Sequence, residues 1–158
     1  ADRALGVGVD AAATWHLIGN LQRNKVPAAL ALFDVIHSVD SLRLAEAIDE
    51  RSTVGARVLL EVNVSGEASK HGISPADAPA MAERIGHMRH LALMGLMTVA
   101  PIVTDPEDAR PVFRRLRELR DALGLRELSM GMTGDFEVAI EEGATFVRVG
   151  RAIFGART

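Results

Sequence analysis

Short apolar runs recur along the chain, each followed by a stretch with helical spacing. Trp15 to Gly19 (WHLIG), Phe33 to Val39 (FDVIHSV), Val58 to Val64 (VLLEVNV), Leu93 to Val99 (LMGLMTV), Leu128 to Met132 (LSMGM) and Thr145 to Val149 (TFVRV) read as six buried strands. Between them, Asn24 with Pro27 opens one helix. Asp40 or Ser41 caps a second with Leu44, Ala45 and Ile48 on one face, and Met81, Ile85 and Met88 line a third. Thr104, Asp105 and Pro106 start a fourth, which Pro111 resets or kinks, with Val112, Leu116, Leu119 and Leu123 as its stripe and Gly124 as its stop. Asp135 caps a fifth helix, and a Gly-containing turn follows the last strand. Near-continuous apolar strands alternating with helices predict a parallel sheet covered by helices. Residues 1–14, rich in small side chains, read as a frayed end, a linker or the remnant of a helix.

Composition narrows the class of protein. With 158 residues, 48% hydrophobic and 25% charged, the chain suits one globular domain with a sizeable core. A net charge of −3 with both signs interspersed gives no basic stripe for nucleic acid or an anionic membrane. The absence of cysteine excludes disulfides, thiolate metal sites and a cysteine nucleophile. No basic region followed by an apolar core opens the chain, and no run is long enough to span a bilayer, so a cytoplasmic location is expected.

Polar residues gather just after the strands: Asn20, Ser38, Asn63 with Ser65, Thr98, Ser129 with Thr133, and Arg148 with Arg151. In α/β folds that is the face where ligands sit. The last two strands each run into a turn containing glycine. Free backbone N–H groups, the positive end of a helix, the hydroxyls of Ser129 and Thr133 and the bare backbone at Gly131, Gly134 and Gly150 suit a phosphate. The plainer reading is a pair of ordinary turns with glycine present for its φ angles.

The segments WHLIGNLQRNK, HSVDSLRLAEAI, VLLEVNVSGEASKHG, GLMTVAP, ARPVFRRLRELRD and LSMGMTGDFEVAIEEGATFVRVGRAIFGAR together resemble the pyridoxal-phosphate homeostasis protein family, related to the N-terminal barrel of alanine racemase. The resemblance covers nearly the whole chain from Trp15 onward. It implies a TIM-type α/β barrel of the alanine-racemase-like kind, a single domain that holds pyridoxal 5′-phosphate and acts in vitamin B6 and amino-acid homeostasis without robust turnover. It also implies a monomer with a small-molecule cofactor as its partner. Carried over, it puts Ser129, the backbone around Thr133 and Gly134, and the N–H groups of Gly150 and Arg151 on the cofactor phosphate. The family usually has a small hydroxyl residue where this chain has Arg151. Arg148 is similar to the arginine that faces the pyridine nitrogen in racemase-like barrels; a guanidinium cannot accept a proton there, which weakens the ring as an electron sink.

Family members begin with a strand carrying the lysine that forms the Schiff base, then a second strand and a Gly-Glu-Asn loop, and neither stands in residues 1–158. The lysines of this chain are Lys25 and Lys70, both in loop-like stretches. A complete barrel takes about 250 residues, so the chain is expected to lack the first two β/α units and to expose strand edges through which copies could associate. The rival functions are an amino-acid racemase, which needs that lysine and a second acid–base residue, and a fragment that no longer binds the cofactor.

Elsewhere the plain readings prevail. His16 is expected to line the core or barrel, and His87 with His90 to complement a helix end. Asp135 is expected as a cap, with Glu137, Glu141, Glu142 and the arginines 114, 115, 117 and 120 on solvated helix faces. The methionines 94, 97, 130 and 132 read as core, with Met97 near a ligand, and Asn63 reads equally as a ligand contact or a strand-end turn.

Overall fold

The computed structural model describes residues 13–155. Residues 1–12 and 156–158 lie outside the described residues, and with them most of the small-residue N-terminal stretch. Six strands form one parallel sheet in sequence order: β1 (His16–Leu17), β2 (Val35–Val39), β3 (Ala56–Glu61), β4 (Leu91–Met97), β5 (Glu127–Met132) and β6 (Phe146–Arg148). The helices between and after them are α1 (Val26–Leu32), α2 (Leu42–Arg51), α3 (Ala78–Gly86), α4 (Arg110–Ala122), α5 (Phe136–Glu141) and α6 (Arg151–Phe154).

All six expected strands are present, with shifted ends. The first has two residues and, among the described residues, pairs with β2 on one side. The third begins at Ala56 and ends at Glu61, after which Val62 makes only an isolated bridge to Ile73. Asp105 caps a 3-10 turn, its Oδ1 accepting the Glu107 N–H at 3.0 Å, and Pro111 then sits in the first turn of a fresh α-helix that starts at Arg110, so it kinks none. The face of α4 that enters the core is carried by Phe113 and Leu116, with Leu119 and Leu123 beside them; Val112 sits off the stripe.

The sheet curls. A flat sheet of six strands would set β1 and β6 about 24 Å apart, yet the His16 ring on β1 lies 5.2 Å from the Phe146 ring on β6. One face packs under the helices, through Ile36, Val58, Leu60, Leu96, Leu128 and Met130. The opposite face encloses a small apolar cluster of Val35, Leu59 and Met97 with Met94 and Phe146. Side chains therefore alternate between two buried surfaces, as in a strand of a (β/α) barrel. At Gly95 the backbones of β4 and β5 come close enough to exclude a side chain: a Cβ there would lie 1.9 Å from the Glu127 carbonyl oxygen. The two end strands leave apolar groups exposed, Ile18 beside β1 and Val147, Ile153 and Phe154 around β6.

Candidate functional site

The inner face carries a line of polar side chains that crosses the curl. Alternation along β2 and β6 puts His37 and Arg148 on the same surface as Val35 and Phe146, and alternation along β5 puts Ser129 there too. Arg148 donates through Nη1 to Ser129 Oγ at 2.9 Å and through Nη2 to the Thr98 carbonyl at 2.8 Å. Ser129 Oγ lies 2.9 Å from His37 Nδ1, and His37 Nε2 lies 2.8 Å from His16 Nδ1. The rings of His16, His37 and Phe146 meet edge to face at 5.0 to 5.5 Å. A guanidinium buried this deeply needs fixed acceptors, and it has two.

The electrostatics follow from burial. Desolvation, then the charges of His16 and Arg148, pushes His37 down to about 4, so it is neutral near pH 7. His16 is lowered as well, first by burial and then by Arg57. Glu61, at the end of β3 on the same surface, is raised by burial and by Asp40. Burial lowers Arg148 from its ordinary value, with Asp135 and Glu61 opposing.

Above this line the chain leaves β5 at Met132 and β6 at Arg148, which are register partners, so the two turns begin side by side. The first is closed by Asp135, whose Oδ1 accepts the Met132 N–H at 2.6 Å while its own N–H donates to the Met132 carbonyl. Asp135 thus stands at the cap position of α5, but its side chain binds backward into the turn. Among the described residues, the N–H groups of Gly134, Gly150 and Arg151 meet no acceptor. Nothing lies within 4 Å of a Cβ built on Gly134 or Gly150, so both glycines open onto space. Gly131 serves packing instead. At φ +88° its built Cβ would lie 2.6 Å from Ala139 Cβ, so glycine there lets α5 pack on β5. With six residues in α5 and four in α6, the helices add little dipole, and the backbone N–H groups are the donors that matter.

The structure brings Thr133, Gly134, Gly150 and the Arg151 backbone to one end of the sheet, with Arg148 and Ser129 beneath them on β6 and β5. The Arg151 side chain points to no partner among the described residues and is exposed. Asn63 organises its own loop: its Nδ2 donates to the Glu67 carbonyl at 2.8 Å, and its Oδ1 accepts the Gly66 N–H at 3.0 Å. Ser38 is buried with no partner for its hydroxyl among the described residues. His90 binds Asp49 by both its N–H and its ring, away from the inner face.

Sequence reasoning did not find His37, Glu61 or Phe146. Their strands are apolar on both faces, so no alternation marked which side chains turn inward. It also placed Glu142 on a solvated face, whereas that residue is 3% exposed and pairs with Arg110, Arg114 and Arg117.

The family model described as the alanine racemase N-terminal domain matches residues 3–158. The chain belongs to this family. It is 47% identical over 152 residues to the pyridoxal phosphate homeostasis protein of Aquifex aeolicus, covering 90% of this chain and 67% of that protein. The crystal structure of an unknown protein from Bifidobacterium adolescentis is similar at TM-score 0.85 and 50% identity, covering 91% of this chain and 63% of that one. PipY of Synechococcus elongatus, in a structure with PLP bound, matches at TM-score 0.81 and 35% identity, over 90% of this chain and 70% of that one. The chain thus spans about two thirds of the length of its relatives. The fold is that of an alanine-racemase-like α/β barrel, of which the described residues form a six-stranded curled part. No helix among the described residues is long and apolar enough to cross a membrane.

Proposed function

We propose that this chain binds pyridoxal 5′-phosphate and serves vitamin B6 and amino-acid homeostasis as a carrier. The observation that carries the reading is the pairing of two things at one end of the sheet: backbone N–H groups at Gly134, Gly150 and Arg151 that meet no acceptor among the described residues, and a buried Arg148 pinned beside them by Ser129 and Thr98. The donor set fits the group. Open glycine backbone with free N–H groups suits a phosphate monoester, with the Thr133 hydroxyl as a further donor. The guanidinium, with both terminal nitrogens anchored, keeps N–H groups for one planar acceptor such as a pyridine nitrogen. The names borne by its relatives support the same reading.

Pyridoxal phosphate, when bound, supplies an aldehyde that reacts with amines. This chain's residues hold and orient it: the turns fix the phosphate, and Arg148 gives the ring nitrogen a donor and withholds a proton from it. Withholding that proton leaves the ring a weak electron sink, which suits a carrier better than an enzyme. Lys70 is tied to Glu67 and to the Val99 carbonyl, and Lys25 lies in a 3-10 turn beside α1, so neither is offered as an attachment point.

Titration of the chain with pyridoxal phosphate, followed by absorbance, tests the reading. Saturable binding that inorganic phosphate competes away is expected, with no stable adduct after borohydride. Gly150→Val, which fills the open turn, is expected to weaken it at least tenfold, about 1.4 kcal/mol. Binding indifferent to both phosphate and Gly150→Val would overturn the phosphate grip.

A further inference from the structure

The polar line on the inner face has a direction, and the direction assigns work to a histidine. Arg148 only donates, so Ser129 Oγ accepts from Nη1. The hydroxyl then has one proton to place. Ser129 is wholly buried, and His37 Nδ1 is the remaining partner of that oxygen among the described residues. Nδ1 of His37 must therefore be bare, which puts the ring proton on Nε2, where His16 Nδ1 receives it at 2.8 Å. Donors run one way from β6 to β1: Arg148 to Ser129, Ser129 to His37, His37 to His16. With the opposite tautomer, His37 would also donate to Ser129 Oγ, and among the described residues the buried hydroxyl proton would have no acceptor, which burial makes costly.

Resting on the cofactor reading above, we propose that His37 is a positioning residue for the ring-nitrogen contact. Its bare Nδ1 takes the Ser129 hydroxyl proton and so turns the oxygen's lone pairs to Arg148, which fixes where the guanidinium points. The second anchor, the Thr98 carbonyl, sets one corner of the fork; Ser129 sets the other only while its hydroxyl is held from behind. His16 closes the line, and its ring meets that of Phe146 across the curl at 5.2 Å.

Two ligands separate this role from general support of the fold. 4′-Deoxypyridoxine 5′-phosphate has the ring nitrogen and the phosphate but no aldehyde; benzyl phosphate has the ester on a ring without nitrogen. Calorimetric titration of the wild type is expected to favour the pyridine ligand. His37→Leu, which keeps the bulk and removes the acceptor, is expected to lose about tenfold in affinity for the pyridine ligand and less than about twofold for benzyl phosphate. His37→Asn, whose Oδ1 takes the place of Nδ1, is expected to restore the preference. Equal loss for both ligands, no loss for either, or no rescue by asparagine overturns the proposal. Nitrogen NMR of the ligand-free wild type gives a second measure that does not depend on a variant folding. A bare Nδ1 with a protonated Nε2 supports the assignment, and a protonated Nδ1 sinks it. A wild type that binds neither ester defeats the cofactor reading, and the NMR tautomer then decides His37's place in the line by itself.

Discussion

Two polar networks flank the last two strands, one inside the curl and one outside it. Inside, His16, His37, Ser129 and Arg148 are joined by single hydrogen bonds, all but the half-buried His16 are buried, and only one of them is charged at neutral pH. Outside, Glu142 at the end of α5 is surrounded by Arg110, Arg114 and Arg117 from α4, and Arg110 also reaches Glu107 and Glu141. The outer cluster tolerates loose geometry, because water and spare charges make good any pair that opens. The inner line does not, since His37 and Ser129 are buried and, among the described residues, each has one hydrogen-bonding partner on either side. Precision is concentrated where the proposed ligand would meet the chain, and redundancy where one helix is tied to another.

Gly131 stands between the two and offers the strongest way to separate them. Its neighbour two positions back, Ser129, faces inward, while its own α-hydrogens face α5. Gly131→Ala would be strained at φ +88° and would push on Ala139. The expected loss is about 2–4 kcal/mol in urea unfolding, from backbone strain together with overpacking. The displacement should loosen the outer cluster, because α5 carries Glu141 and leads into Glu142, before it reaches the inner line. A loss below about 0.5 kcal/mol would mean that α5 is free to shift, and that the outer ion pairs do not hold it.

This division was half legible in the sequence. The six strands, their parallel order and the two glycine turns could be read from apolar runs and breakers, and Arg148 from its place in VRVGRAIFG. Which residue of FDVIHSV faces inward could not, because Val35 and Ile36 are equally apolar and both are buried. The irregular register of β2 against β3 between Ile36 and Val39 removes even the phase that strict alternation would have supplied. The outer cluster did leave a mark in the sequence. Arg110, Arg114 and Arg117 are spaced four and three apart and so share one helix face, which calls for an acidic partner on the neighbouring helix. That the partner is Glu142, and not the exposed Glu137, depends on how α5 docks, which no local pattern states.

Acid distinguishes the networks by their windows. His37 titrates near 4 in the folded chain and near 6.5 when unfolded, so the unfolded state takes up the proton first as pH falls. The stability tied to its neutral form is fully present above about 6.5 and is lost progressively toward 4. His16 acts in the same sense. Glu142 is held below the ordinary carboxylate value, first by its hydrogen bond from Arg114, so its contribution persists down to about 4.5 and is lost only below that. Glu61, raised by burial, works with the opposite sign and offsets part of the histidine loss. Urea unfolding at pH 7, 6 and 5 is expected to show falling stability in the wild type, a flatter trend in His37→Asn and an unchanged trend in Glu142→Gln. Identical slopes in all three would remove the histidines from the account.

The smallest effect is expected from Glu142→Gln itself. The change keeps the shape and one acceptor oxygen but leaves three guanidinium groups with no carboxylate between them, while Glu107 and Glu141 still serve Arg110. Because the arginines reach water, the loss should be modest, about 2–4 °C in Tm. It should shrink in 1 M salt, where the Debye length is about 3 Å. Ligand affinity should not change, since the turns after β5 and β6 are closed by Asp135 and by backbone, and not by the outer ion pairs. A fall in affinity for phosphate esters that salt reverses would show that the outer cluster does reach the turns. The two networks would then act as one through α5, with Glu142 holding the helix whose first residue follows the Asp135 turn.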